Sequence, residues 1–255
     1  MEESRINTSK RIFIGFSSED RYEVVESILY HLANYGMALW YDRHKMRLGD
    51  ICEDNFLDGI EKTEYAVLIF TKKTNQSKFF ANEMQYIKKQ YDNKKIAIFP
   101  LLYKIDPNEL HEDFQWVTRL IYKTLDEKSG GLLVCNHIMS RILTDELQKC
   151  KYQTLHDLQE NIAFSKKDIF IEKMLQSYLD IDRNNHNARV AVLFSVFTYL
   201  FTKYDTVEML PQHYWRGFNR IFSYTKLHLE IDQREILILE MELMILINKL
   251  DFGCN

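Results

Sequence analysis

Proline and glycine are scarce, three and eight in 255 residues, and that poverty excludes a collagen-like or low-complexity chain. With 46% hydrophobic residues there is material for one large domain or two ordinary ones. The four cysteines, Cys52, Cys135, Cys150 and Cys254, form no CxxC pair and no disulfide-like spacing, which fits a reducing compartment, the cytoplasm by default. Long runs of one charge sign are missing. Acidic residues exceed basic ones by 37 to 33, so nothing suggests an electrostatic footprint for nucleic acid. Residues Met1 to Lys10 lack the apolar core of a signal peptide. The longest apolar stretch, Ala188 to Phe201, is too short to span a bilayer comfortably and reads as a buried helix, so no membrane partner is expected. HExxH, GxxxxGK and GxGxxG are all absent, and the eight histidines have no ligand spacing; neither a metal nor a fingerprint-bound cofactor is expected.

What is present changes character near residue 150. Six of the eight glycines lie before residue 132, so turn chemistry is concentrated in the first half. There, short β-rich runs (Arg11–Phe16, Met37–Tyr41, Tyr65–Phe70, Ile96–Tyr103 and Arg119–Thr124) alternate with segments long enough for crossover helices, which predicts an α/β layer with a parallel sheet. A first helix carries Val24, Val25, Ile28, Leu29 and Leu32 at helical spacing and stops at Gly36. A second is expected from an Asp50 cap, with Cys52, Phe56 and Ile60 as its apolar stripe. A third opens after Ser77 and buries Phe80, Met84, Ile87 and Tyr91. A fourth, about 132 to 148, follows the pair Gly130-Gly131 and closes the domain. The second half lacks a strand pattern and reads as about five helices, including 188–203 and 232–250, separated near Asn184-Asn185 and Pro211. Glu235 to Leu250 is apolar around much of its circumference, which places it at the centre of a bundle in preference to a subunit contact.

In an open α/β sheet ligands bind at the carboxyl ends of the strands. Here those ends lead into Gly15-Phe16-Ser17-Ser18-Glu19-Asp20, then Asp42 to Asp50, then Thr71 to Ser77 followed by Phe79-Phe80-Ala81-Asn82-Glu83. Phe79 and Glu83 are an i,i+4 pair beside the buried stripe of the third helix, so a ring and a carboxylate would border one cleft.

FIGFSSED, GMALWYDRHKMRLGD, GIEKTEYAVLIFT and SKFFANEM, in that order, resemble consecutive signature segments of the Toll/interleukin-1 receptor (TIR) domain family. The resemblance covers residues 8–150 and leaves 151–255 as an all-α accessory domain. It implies a flavodoxin-like five-stranded parallel sheet in the order 2-1-3-4-5, flanked by helices. It further implies an enzyme that cleaves the nicotinamide–ribose bond of NAD, as bacterial antiphage-signalling members do. The products would be nicotinamide and either ADP-ribose or a cyclic ADP-ribose messenger read by a separate effector. NAD is then a substrate, and no cofactor is called for.

By the same resemblance Glu83 matches the position of the catalytic glutamate. Phe79 stands where the family often has tryptophan, and Gly15-Phe16 where it often has Ser-Tyr, so two aromatic faces remain while two donors are lost. Ser17 and Lys45 are candidates for the pyrophosphate, with Arg43 and Arg47 beside them, and Asp42 borders the nicotinamide side. A carboxylate so placed stabilises the oxocarbenium-like ribose as the neutral base departs. The alternatives are a non-catalytic scaffold acting through TIR–TIR association and, further off, a nucleoside deoxyribosyltransferase-like enzyme. Homo-oligomerisation through the TIR domain, the helical domain or both is expected.

Overall fold

The computed structural model describes residues 11–41, 52–161, 168–204, 212–227 and 229–252. The chain divides into two compact units: an α/β unit, Thr8–Ala33 with Met37–Cys135, and a helical unit, Met1–Asn7, Asn34–Gly36 and Asn136–Asn255.

Five strands, β1 (Arg11–Gly15), β2 (Ala38–Trp40), β3 (Tyr65–Phe70), β4 (Ala97–Tyr103) and β5 (Lys123–Leu125), form one sheet in the order β2-β1-β3-β4-β5. All four pairings are parallel, with Phe13 opposite Trp40 and Ala66, and Leu68 opposite Pro100. The strand order reverses between β1 and β3. Every residue of β3 is buried, as a central strand covered on both faces requires.

Helices α1 (Glu26–Asn34), α2 (Cys52–Glu61) and α3 (Lys78–Asp92) connect the first strands. A π-helical turn, Arg21–Val25, leads into α1, which buries Ile28, Leu29 and Leu32, and Gly36 beyond it takes φ 74°, a conformation glycine adopts without Cβ strain. The Asp50 cap lies outside the described residues; Phe56 and Ile60 of α2 are buried as expected. Ser77 caps α3, its Oγ accepting from the Phe80 amide at 3.2 Å, and Phe80, Met84 and Ile87 are buried while Tyr91 is half-buried.

The fifth strand departs from expectation. Arg119 ends a 3-10 helix, Glu112–Arg119, which buries Phe114 and Val117, and the strand is only the three residues Lys123–Leu125. Residues at i and i+3 eclipse on a 3-10 helix, so Phe114 and Val117 share one inward edge and hold this segment against the core, leaving a short remainder to pair with β4.

Helix α4 (Gly131–Leu147) begins in the α/β unit and continues into the helical one. The helical unit adds α5 (Leu155–Asn161), α6 (Ile169–Asp180), α7 (His186–Lys203), α8 (Gln212–Lys226) and α9 (Gln233–Phe252), with no strand among its described residues. Ala188–Phe201 lies inside α7, which buries Val190, Leu193, Val196, Phe197 and Leu200. In α9 the run Leu243–Ile247 is buried on every side, so this helix is core to the bundle. Of the buried polar groups on this helix, Asn248 is satisfied on both sides of its amide: Nδ2 donates to the Tyr152 and Met244 carbonyls at 2.9 Å each, and Oδ1 accepts from the Tyr152 amide at 3.0 Å. No helix of the described residues is long and apolar enough to cross a membrane.

Candidate active site

The third helix positions two faces at once. Phe80, Met84 and Ile87 point into the core, while Phe79, Asn82, Glu83 and Tyr86, at spacings of three, four and seven, share the adjoining face. Along that face runs a cavity of about 450 Å³ lined by Phe56, Phe79, Asn82, Glu83, Gln85, Tyr86 and Lys89. Glu83 is 8% exposed, a rare state for a glutamate, whereas the Phe79 and Tyr86 rings beside it are 44% and 42% exposed.

Phe56 of α2 forms the far wall and ties the cavity to the sheet. Its ring meets Phe79 at 6.5 Å and Tyr86 at 6.3 Å on the cavity side, and Phe13 at 5.4 Å and Trp40 at 6.2 Å on the core side. Phe13 and Trp40 stack at 5.1 Å. The close approach of α2 to β2 needs Gly59, where an added Cβ would lie 2.3 Å from the Trp40 ring.

At the carboxyl ends of β1 and β3 lies a second polar group of residues. Asp20, 1% exposed, accepts from the Thr71 hydroxyl at 2.6 Å and pairs with Lys73 Nζ at 3.3 Å. Partial desolvation opposes the Lys73 charge, but Asp20 and Glu23 outweigh it and raise the ammonium pKa. Thr74 folds the loop onto itself, its Oγ1 donating to the Thr71 carbonyl at 2.7 Å and accepting from the Thr71 amide at 2.9 Å. These bonds fix the segment that launches α3.

The sequence-predicted residues therefore fall in three places. Glu83 and Phe79 line one cavity. Phe16 and Ser17 are buried at the end of β1, Phe16 under the Arg21 guanidinium at 5.4 Å, and neither lines that cavity. Asp42 and Lys45, with Arg43 and Arg47, lie outside the described residues. Sequence reasoning missed Asn82, Tyr86 and Lys89, although their spacing from Phe79 and Glu83 was legible as a second helical stripe. It also assigned Phe56 to the core alone. Among the described residues no group of three or more His, Cys, Asp or Glu side chains could hold a metal.

A parallel sheet in this order, with a buried carboxylate at a cavity on the helix after the third strand, defines a flavodoxin-like α/β domain with a ligand-sized site. Residues 12–129 match the TIR domain family model, and this stretch of the chain is a TIR domain. Three curated relatives are similar over that region. A probable 2′ cyclic ADP-D-ribose synthase, TcpO of Methanobrevibacter olleyae, is 29% identical over 51% of this chain and 38% of its own length. The NAD(+) hydrolase TcpC of Escherichia coli is 27% identical over 41% of this chain and 34% of its own. The 2′ cyclic ADP-D-ribose synthase BtTIR of Bacteroides thetaiotaomicron is 27% identical over 38% and 34%. The chain thus spans little more than a third of the length of these three relatives.

Proposed function

We propose that the TIR domain cleaves the nicotinamide–ribose bond of NAD, with Glu83 as the carboxylate that stabilises the developing ribosyl cation. The observation that carries this reading is a glutamate withdrawn from solvent yet lining a cavity of about 450 Å³ beside an exposed aromatic ring, Phe79. A fixed carboxylate in a water-poor cleft acts on a cation more strongly than one in bulk water. Phe79 offers a face for a flat ring, and Asn82 and Lys89 supply donors for hydroxyl and phosphate oxygens along the same wall. Nicotinamide departs as a neutral base, so the step needs no strong general acid, and NAD is consumed as a substrate.

The names of the relatives support the same chemistry and divide between hydrolysis and cyclisation. Attack by water gives ADP-ribose, whereas attack by a group of the substrate itself closes a ring, and exclusion of water selects the second. A cytoplasmic enzyme of antiphage signalling whose product is read by a separate effector fits this reading. Self-association through the TIR domain or the helical unit completes it.

The test is nicotinamide release from NAD by the full chain, with mass spectrometry of the other product. Glu83→Gln and Glu83→Ala should each lower the rate by roughly 10²- to 10³-fold while the protein stays folded, the scale of losing one group that stabilises transition-state charge. Wild-type protein that releases no nicotinamide at low or high concentration would instead favour a scaffold acting by TIR–TIR association.

A further inference from the structure

The helical unit holds a cavity of its own, about 560 Å³, lined wholly by residues between 153 and 244. Its walls come from the start of α5, the end of α6 and the turn after it, the start of α7 and the first half of α9. Three arginines, Arg183, Arg189 and Arg234, line it against a single carboxylate, Glu240. This cationic excess sits in a chain whose formal net charge is −4, so it is a local construction and not a reflection of the whole.

Glu240 is already engaged. Its Oε1 accepts from Arg189 Nη2 at 2.6 Å and from the Tyr178 hydroxyl. The Arg189 guanidinium lies 4.7 Å from the Tyr178 ring centroid, so stacking and ion pair together fix its plane. Its Nε is buried with no acceptor among the described residues. Arg183, which is exposed, and Arg234, which is half-buried, make no hydrogen bond or ion pair among the described residues, so both are free to meet a ligand. Buried donors without acceptors destabilise a fold, and one retained at a cavity wall points to an acceptor that arrives from outside.

Size and lining narrow the class. A volume near 560 Å³ is that of an organic ligand's pocket, far larger than a lone inorganic ion needs. Guanidinium forks match phosphate oxygens in pairs, and three of them can engage a diphosphate. Leu179 and Leu237, both exposed at the cavity, offer an apolar surface to the rest of the molecule.

We propose that this cavity binds a nucleotide-sized phosphate ester, its phosphates held by Arg183, Arg189 and Arg234 and its organic body resting on Leu179 and Leu237. This is a second ligand site, distinct from the Glu83 cavity and independent of the chemistry assigned there.

Calorimetric titration of the full chain with ATP, ADP-ribose and inorganic pyrophosphate tests it, with hydrogen–deuterium exchange to locate the bound ligand. One or both nucleotides should bind more tightly than pyrophosphate, and protect segments 153–156, 178–189 and 233–240. The tighter of the two identifies whether the source is the nucleoside triphosphate pool or the product of NAD cleavage. Arg183→Glu combined with Arg234→Glu should weaken that binding by roughly tenfold or more, equivalent to one decade of Kd, with the thermal midpoint unchanged. Arg183→Gln combined with Arg234→Gln serves as the milder pair and should weaken binding in the same direction. Binding unaltered by both pairs, protection confined to the α/β unit, pyrophosphate binding as tightly as the nucleotides, or no binding at all would each overturn the proposal.

Discussion

Glu83 and Glu242 are both buried acids, and their surroundings give them opposite meanings. Glu83 borders a cavity wide enough for a ligand. Glu242, on α9, is fully buried, neither oxygen has a hydrogen-bond partner among the described residues, and the space beside it exists because residue 217 is glycine, where a Cβ would meet Oε1 at 2.2 Å. Burial, with a smaller contribution from the nearby Glu146 charge, pushes the Glu242 carboxyl well above its ordinary value near 4.5. The folded state therefore holds a proton here that the unfolded chain releases. Such a group costs the fold least below the unfolded pKa, and its penalty grows as pH rises toward the folded pKa, by up to about 1.4 kcal/mol per pH unit. Thermal midpoints of wild type should thus fall between pH 5 and 8 more steeply than those of Glu242→Gln, which carries no ionisable group. Parallel slopes for the two proteins would show that Glu242 is not the group responsible.

At the scale of elements, α2 and α3 line the Glu83 cavity, and α2 in turn packs closely on β2. Gly59 faces the Trp40 ring on one side of α2, and Phe56, one turn earlier, walls the cavity. Gly59→Ala ought to gain nearly 1 kcal/mol from helix propensity alone. The steric conflict at 2.3 Å involves a ring stacked on Phe13 and unable to yield, so overpacking, about 1–3 kcal/mol, decides the sign. Urea denaturation should show net destabilisation, and nicotinamide release should fall with it, because Phe56 moves with the helix that carries it. The sheet's alternation of strands and crossover helices was legible from periodicity, as were the Ser77 cap and the buried stripe of α3. The fifth strand was misjudged because Phe114 and Val117 satisfy a 3-10 edge that a scan for β-rich runs does not seek.

Across the whole molecule, the proposed cleavage of NAD by a self-associated form ties the rate to protein concentration. Nicotinamide release per molecule should rise with protein concentration and level off where light scattering reports the assembled form. A rate per molecule that stays constant across dilution to a monomer would remove self-association from the mechanism. Deleting residues 152–255 is a poor substitute for dilution, since Ile138, Met139, Ile142 and Leu143 of α4 are buried in the helical unit and would lose its remaining helices.

By itself the sequence determined the periodicities, the order of strands and helices, the change of character near residue 150 and the presence of a carboxylate one helical turn from an aromatic ring, because each is a local property of spacing. Only the tertiary structure decided that Glu83 is buried at a cavity while Phe16 and Ser17 are not among its lining residues, that Phe56 serves both core and site, and that Arg234 converges with Arg183 and Arg189 in the helical unit. Burial and convergence depend on which surfaces meet after the chain has folded, and no spacing along the chain encodes that.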